Sequence, residues 1–481
     1  LHSSHGESDT TEAQTIETRP TGTRTAEVRT AEVRPTEART TEARTTEART
    51  SRNDNFTRTK RGGMFSALHN RNYRYFFTGQ VVSNSGTWIS RIAQDWLVLS
   101  LTGSAFAVGV TTAMQFLPVL LFGLFGGVIA DRFPKRQLLM ATQGAMGLLA
   151  AGLAVLTLAG VVRPEHIYVF AFLLGLVTVV DNPARQTFVV EMVGKSDLAN
   201  AVSLNSANFQ TARLVGPAIA GALMAAVGAG WAFAVNALSF GAVILGLLAM
   251  RSSELRRQPR LPREKGQLRE GLRYVAERPD LIWPIVLIGF IGTFGFNFPT
   301  VLSGFAYSVF HVGPGQYGLL NTALAIGSLV GALLAARRAR PRLRLLVAAA
   351  LGFGLLEAVA GLAPDFWAFA VLLTVVGLLG LTFNTAANAL VQLRTAPEMR
   401  GRVMSLFMMV FAGGTPLGAP VVGWLTQQYG PRVGLFACGL VSSGAAALIG
   451  LVLARIGNLR LRLDLAHGFG QEGRVLALVP R

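Results

Sequence analysis

The sequence predicts an all-α membrane protein: twelve transmembrane helices arranged as two pseudo-symmetric six-helix bundles. Three observations carry that expectation. Only 15% of the 481 residues are charged, against about 25% in soluble globular proteins. Between Tyr73 and Ala454 the charges sit in short clusters that separate apolar runs of roughly 20 residues, the length at which a helix crosses hydrocarbon. Spans ten to twelve also repeat spans four to six in one register. A soluble helical protein would instead show amphipathic stripes, with polar residues returning every turn.

Taken in order, residues 1–63 are polar and carry a pentad repeat from Thr25 to Arg49, with Glu and Arg at fixed positions. Such a segment buries too little apolar surface to offset its ordering entropy, so it is expected to be disordered. It lacks the apolar stretch of a secretory signal. Met64 stands directly before the first apolar run. A start chosen too far upstream, or a fragment boundary, is the expected origin of the tail; a cytosolic tether is the alternative. Spans are then expected at 74–101, 104–130, 137–160, 166–191, 198–228 and 230–250. After the longest internal break they resume at 280–310, 315–336, 343–363, 365–393, 400–428 and 431–455.

The loops supply the orientation. Arg132, Lys135 and Arg136, then Lys195, Arg251 to Arg278, Arg337 to Arg344, Arg394 to Arg402 and Arg455 to Arg462 make every second loop basic. The alternate loops hold Arg163 and Arg432 as their main cations. Basic loops stay in the cytosol, which places both termini there in a multi-pass plasma-membrane protein with an even span count. The expected domains are residues 64–250 as an N-terminal six-helix bundle and 280–455 as a C-terminal one. Between them, 251–279 is a cytosolic linker, and 456–481 is a cytosolic tail. The linker contains an amphipathic stretch, Leu268 to Val275, suited to a membrane surface.

A net charge of +18 invites a nucleic-acid partner, but the basic residues stand at span ends and form no recognition patch. The single cysteine, Cys438, lies inside an apolar run, so neither a disulfide framework nor a zinc site is expected. No Gly-rich loop ending in Lys and Ser or Thr is present to cradle ATP phosphates. No cofactor is expected.

The repeat is specific in its polar and glycine positions. Asn182 falls on Asn384, Gly216 on Gly418, Gly221 on Gly423 and Gly228 on Gly430. Parallel repeats of six spans point to two bundles around a central site, each able to rock against the other.

Gly127-x-x-Ala130-Asp131-Arg132-x-Pro134-Lys135-Arg136 lies between the second and third spans. It resembles the signature loop of the major facilitator superfamily, with Pro134 where that pattern has Gly. The segments Gly86 to Trp96, Asp181 to Phe188, Asn200 to Asn205 and Ala212 to Pro217 are similar to the branch that holds enterobactin-type siderophore exporters and macrolide efflux proteins. The resemblance implies that Gly127, Asp131, Arg132, Lys135 and Arg136 form a conformational latch. Asp131 would sit near the start of the eleventh span, and the cations would engage carboxylates, with Glu191 as a partner. The equivalent loop of the second half has Ala336 in place of the acid, so the latch is expected to be asymmetric.

Ionisable residues inside a bilayer are costly, so each is a candidate for function. Arg91 and Asp95 stand four apart on span one, and Asp181 and Arg185 repeat that spacing on span four. Either pair is a self-neutralised structural pair or supplies a proton-coupling carboxylate. Arg213 on span five needs an anion, for which a carboxylate of the first bundle is expected. Glu357 on span nine has no opposite charge on its own helix and is expected to face lipid in protonated form, with a proton site as the alternative. Asn205 and Asn384, with Asn208, Asn236, Asn297, Asn321 and Asn388, are candidates to line a polar cavity. Gly216, Pro217 and Gly221 resemble part of the antiporter signature of drug-efflux relatives without its full glycine spacing. Phe116, Phe122, Phe294, Phe296 and Phe298 suit an amphipathic ligand, although packing is the commoner use of such residues.

Together these observations predict a monomeric secondary transporter working by alternating access. It would export an amphipathic small molecule such as a drug, siderophore or secondary metabolite against inward proton flow. A proton-coupled importer and a transporter-like sensor are the alternatives. No nucleophile–base or metal constellation favours an enzyme.

Overall fold

In the computed structural model, the described residues are 65–194, 196–255, 267–336, 343–456, 459–463 and 476–480. The repeat tail of residues 1–63, Lys195 and the cations from Arg337 to Arg342 lie outside them. The first half contains α1 (Arg71–Thr102), α2 (Ala105–Arg132), α3 (Lys135–Leu158), α4 (Pro164–Val193), α5 (Leu198–Val227) and α6 (Ala229–Leu248). After the linker helix α7 (Gln267–Ala276) come α8 (Pro279–Phe290), α9 (Phe298–Gly304), α10 (Pro314–Ala336), α11 (Leu343–Gly361), α12 (Phe366–Arg394), α13 (Arg400–Tyr429) and α14 (Pro431–Ile456). Beyond α14 the backbone forms an antiparallel ribbon, β1 (Leu459–Leu463) with β2 (Leu476–Pro480), in which Leu461 opposes Leu478.

Eleven of these stretches are long and apolar enough to cross a bilayer, with Pro279–Val309 counted as one interrupted span. The twelfth expected span, α1, matches them in length at 32 residues but not in apolarity. Its polar side chains point inward: Gln80, Ser83, Gln94 and Asp95 are all buried.

Local chemistry sets the helix ends. Asn70 and Ser104 accept bonds from Tyr73 N and Ala107 N at the starts of α1 and α2, and Asp365 accepts from Trp367 N and Ala368 N before α12. Each satisfies amide groups that the first helical turn leaves unpaired. The repeat is visible in the turns. Gly228 separates α5 from α6 with φ +89°, and its counterpart Gly430 separates α13 from α14 with φ +87°. Both turns need a conformation that side chains with a Cβ rarely adopt.

One expected span is not a continuous helix. The 280–310 stretch runs through α8, a π turn at Ile291–Gly295, a break at Phe296 and Asn297, α9, and a second π turn at Phe305–Val309. Pro299 lacks an N–H and stands in the first turn of α9, where no helical bond is lost. The π turns widen the helix on either side.

Within the first half, α1 packs on α5 and α6, α2 on α4, and α3 on α4 and α6; within the second, α10 packs on α12, and α11 on α12 and α14. Two seams join the halves, α2 with α13 and α5 with α10. Near Ser104 the seams are tight. Ala105 N donates to Gln427 Oε1 at 3.0 Å. A Cβ placed on Gly318 would lie 2.4 Å from Pro217 O, and one on Gly109 would lie 2.3 Å from Ala419 O. Toward Asp131 a cleft of about 730 Å³ lies between α2 and α4, with Gly123, Gly127, Asn182 and Gln186, and the α13 end of the second half, with Glu398, Arg402, Ser405 and Met408. The linker helix α7 rests on the second half: Arg402 Nη1 lies 2.5 Å from Glu270 Oε1, and Tyr274 OH accepts from Ala396 N.

Candidate substrate cavity

A cavity of about 340 Å³ lies between the halves, within the range of roughly 300–1,000 Å³ usual for small-molecule sites. Helix α1 presents Trp88, Arg91, Ile92 and Asp95 to it, one face read at steps of three and four. Helix α2 adds Thr112, Gln115 and Phe116, and α5 adds Arg213 and Pro217. The second half contributes Phe296, Asn297 and Phe298 from the broken span, Asn321 and Ser328 from α10, Asn384 from α12, and Phe411 and Thr415 from α13. Ala412 lines both this cavity and the cleft toward Asp131, so the two spaces adjoin.

The break in the seventh span places a polar group at the wall. Asn297 donates from Nδ2 to Thr293 O, while its buried Oδ1 has no hydrogen-bond partner among the described residues. Phe296 packs between Phe353 and Phe411, and Phe298 packs on Phe353. These rings therefore pack against one another and line the cavity at once.

Three charged side chains line the cavity: Arg91, Asp95 and Arg213. Arg91 and Asp95 make no ion pair with each other among the described residues. Asp95 Oδ2 instead accepts from Tyr317 OH of α10 at 3.4 Å, a contact across the halves. Arg91 stands over the indole of Trp88, 5.3 Å from its centroid, with Nε buried and unbonded. Arg213 stands 5.9 Å from the same centroid. The expected carboxylate partner of Arg213 is absent among the described residues; an aromatic face takes its place. Gly216 is required here, because a Cβ on it would meet Trp88 Cβ at 2.5 Å. Gly221 meets the other half, 3.0 Å from Gly315 O by the same measure. Gly216, Pro217 and Gly221 thus serve close approach.

The other i,i+4 pair has a different environment. Asp181 is fully buried and accepts from Thr142 Oγ1 and Gln143 Nε2, each at 2.8 Å, and from Arg185 Nη2. Arg185 Nη1 donates to Gln80 Oε1. Neither Asp181 nor Arg185 lines the cavity. Asn205 does not line it either, because it accepts a bond from Tyr73 OH near the opposite end of α1.

Glu357 was expected to face lipid, and the structure corrects this. It is 2% exposed, on the face of α11 that packs on α14 between Gly354 and Ala358, and its Oε2 has no hydrogen-bond partner among the described residues. Small residues on both helices bring the backbones together and enclose the carboxyl.

At the Asp131 loop, Lys135 Nζ lies 2.8 Å from Glu191 Oε1. Arg136 departs from the expected carboxylate partner. It donates to the carbonyls of Leu247 and Leu248 and to Ser252 Oγ, tying α3 to the end of α6. None of these bonds reaches the second half; they stay within the first half and the start of the linker. Gly127 walls the cleft.

Sequence reasoning missed Trp88 and Tyr317. Both lie at helical spacing from residues already singled out: Trp88 one turn before Arg91, and Tyr317 one turn before Asn321.

A family model described as "Transmembrane secretion effector" matches residues 62–464. The multidrug efflux pump Tap of Mycobacterium tuberculosis is 29% identical over 80% of this chain and 93% of its own. The staphyloferrin A transporter of Staphylococcus aureus is 26% identical over 74% and 90%. The enterobactin exporter EntS of Citrobacter koseri is 26% identical over 81% and 92%. Among solved structures, a bacterial homolog of the human lysosomal transporter Spinster aligns with TM-score 0.64 at 14% identity, covering 79% of this chain and 96% of that one. A bacterial homologue of the iron transporter ferroportin aligns with TM-score 0.60 at 16% identity, over 80% and 98%.

Proposed function

The chain belongs to the transmembrane secretion effector family of the major facilitator superfamily, and on that premise we propose that it exports amphipathic small molecules across the plasma membrane by alternating access, coupled to inward proton flow. The observation that carries this reading is the central cavity between the halves, sealed by backbone contacts near Ser104 and adjoining an open cleft toward Asp131. The basic loops give that cleft a cytosolic address, with both termini on the same side. In this geometry a substrate enters from the cytosol, and the seams near Ser104 open to release it outside. The efflux and siderophore-export names of relatives that align over most of the chain support the same direction.

The loop around Asp131 acts in this scheme on the opposite state. With the cleft closed, Asp131 meets the N-terminus of α13, where helix amides carry partial positive charge. In the open state Lys135 is held on Glu191, within its own half. Asp95, bonded across the halves to Tyr317, is the carboxylate best placed to couple protonation to rocking.

Inverted vesicles containing the full chain test this reading, with a proton-gradient dye and a panel of siderophores and antibiotics. Export predicts uptake of at least one compound together with dissipation of an imposed gradient, and loss of both in Asp131→Asn at normal expression. Uptake unchanged by Asp131→Asn, or movement in the importing direction only, overturns it.

A further inference from the structure

We propose that Arg91 and Arg213, gathered on the indole of Trp88, form an anion-binding subsite, so that the cavity selects organic carboxylates with an apolar body over organic cations. This inference rests on the export reading for its role but not for its chemistry.

The charges that line the cavity do not balance. Two guanidinium groups face one carboxylate; Asp95 attracts Arg91 through space but forms no ion pair within bonding distance of either among the described residues, which leaves a net positive charge on the lining. Both cations lie within 6 Å of one ring centroid, at 5.3 and 5.9 Å. An indole face attracts a cation but supplies no hydrogen-bond acceptor, so the guanidinium N–H groups remain available. The buried, unbonded Nε of Arg91 is such a donor. Cationic side chains within a bilayer are usually paired with an acid or backbone carbonyls, or mark the path of a charged substrate. Asp181 and Arg185 in the same half show the paired outcome, and Arg91 and Arg213 do not follow it.

A ligand carboxylate completes this arrangement. A guanidinium edge matches its two oxygens in a bidentate bond. Gln94 and Gln115 of the first half add amide donors to the lining, while Phe116, Phe296 and Phe411 offer apolar surface to the rest of the molecule. An organic cation would instead meet two guanidinium groups in a low-dielectric space, where like charges repel strongly.

The test uses the purified full chain in detergent and three fluorescent probes of one shape class: dansylglycine, its carboxamide and dansylcadaverine. Fluorescence anisotropy should show the carboxylate binding at least about tenfold more tightly than the cation. Arg91→Gln and Arg213→Gln should each weaken the carboxylate about fivefold or more and leave the carboxamide within about twofold. Arg213→Lys, which keeps the charge but not the planar fork, should recover part of the loss. Size-exclusion profiles matching the wild type keep misfolding out of the comparison. Equal or tighter binding of the cation, no binding of any probe, or equal weakening of all three in folded variants overturns the proposal. Uptake of the same probes into inverted vesicles separates the two readings. Anion-selective binding without uptake removes export and leaves the subsite, whereas selective uptake of the cation removes the subsite and leaves export.

Discussion

Spans one and four carry the same sequence feature, an acid and an arginine four residues apart, and fold it in opposite ways. In α4 the acid comes first, and Asp181 and Arg185 form an ion pair braced by Thr142, Gln143 and Gln80. In α1 the arginine comes first, and Arg91 and Asp95 turn to Trp88 and Tyr317 instead. Helical side chains lean toward the N-terminus, so a long arginine reaches back to an acid one turn before it more readily than forward to one after it. Acid-before-base is accordingly the better order at this spacing. Spacing puts two residues on one face; order and neighbours decide whether they meet. The paired set stiffens one half, and the unpaired set is left for a ligand.

The sharpest way to break this contrast is Asp181→Asn. The carboxylate takes three donors while fully buried. An amide cannot accept from all three and leaves Arg185 without its charge partner. Removing one member of such a pair costs roughly 3–5 kcal/mol. Thermal unfolding in detergent should show a drop in Tm of several degrees. A variant with wild-type stability and no transport would move Asp181 from the structural group to the coupling group.

Much of this architecture was legible in the sequence, for identifiable reasons. Apolar runs of span length and alternating basic loops are strong signals, because the bilayer permits few other solutions. Arg91, Asp95 and Arg213 could be singled out as ionisable groups inside spans. Trp88 and Tyr317 could not, since an aromatic residue in a span is usually packing. The break at Asn297 was hidden because the run around it is predominantly apolar, and Gly295, where a Cβ would meet Phe353 and Ser442, shows its reason only once the helices are packed. The burial of Glu357 was hidden for a related reason. Gly354, Ala358 and Gly439 draw α11 and α14 together around it, and which face of an apolar helix meets a partner is weakly written in its own residues.

A smaller effect is expected at Lys135. Its ammonium and the Glu191 carboxylate are 15% and 9% exposed, so water screens the pair only in part. Lys135→Ala leaves Glu191 underpaired at a cost of roughly 1.5–3 kcal/mol, the range for hydrogen bonds to charged groups. Lys135→Ala, Glu191→Gln and the double variant form a cycle, read by unfolding, whose coupling should exceed about 1 kcal/mol. Coupling near zero would place this contact with the cavity charges, as a proximity without a bond.

The smallest stability change is expected from Asp95→Asn, the same chemical edit as Asp181→Asn on the other member of the comparison. Asp95 accepts one long hydrogen bond, from Tyr317 at 3.4 Å, which an amide oxygen also accepts. Unfolding should shift by less than about 1 kcal/mol, as for substitutions that break no network. The charge balance of the cavity moves further: two guanidinium groups remain with no carboxylate among the residues that line it. Dansylglycine should therefore bind the variant about two- to tenfold more tightly, since a like charge near its carboxylate is gone. A large loss of stability would mean that Asp95 supports Arg91 as Asp181 supports Arg185, and the two spans would then be one motif folded in one way.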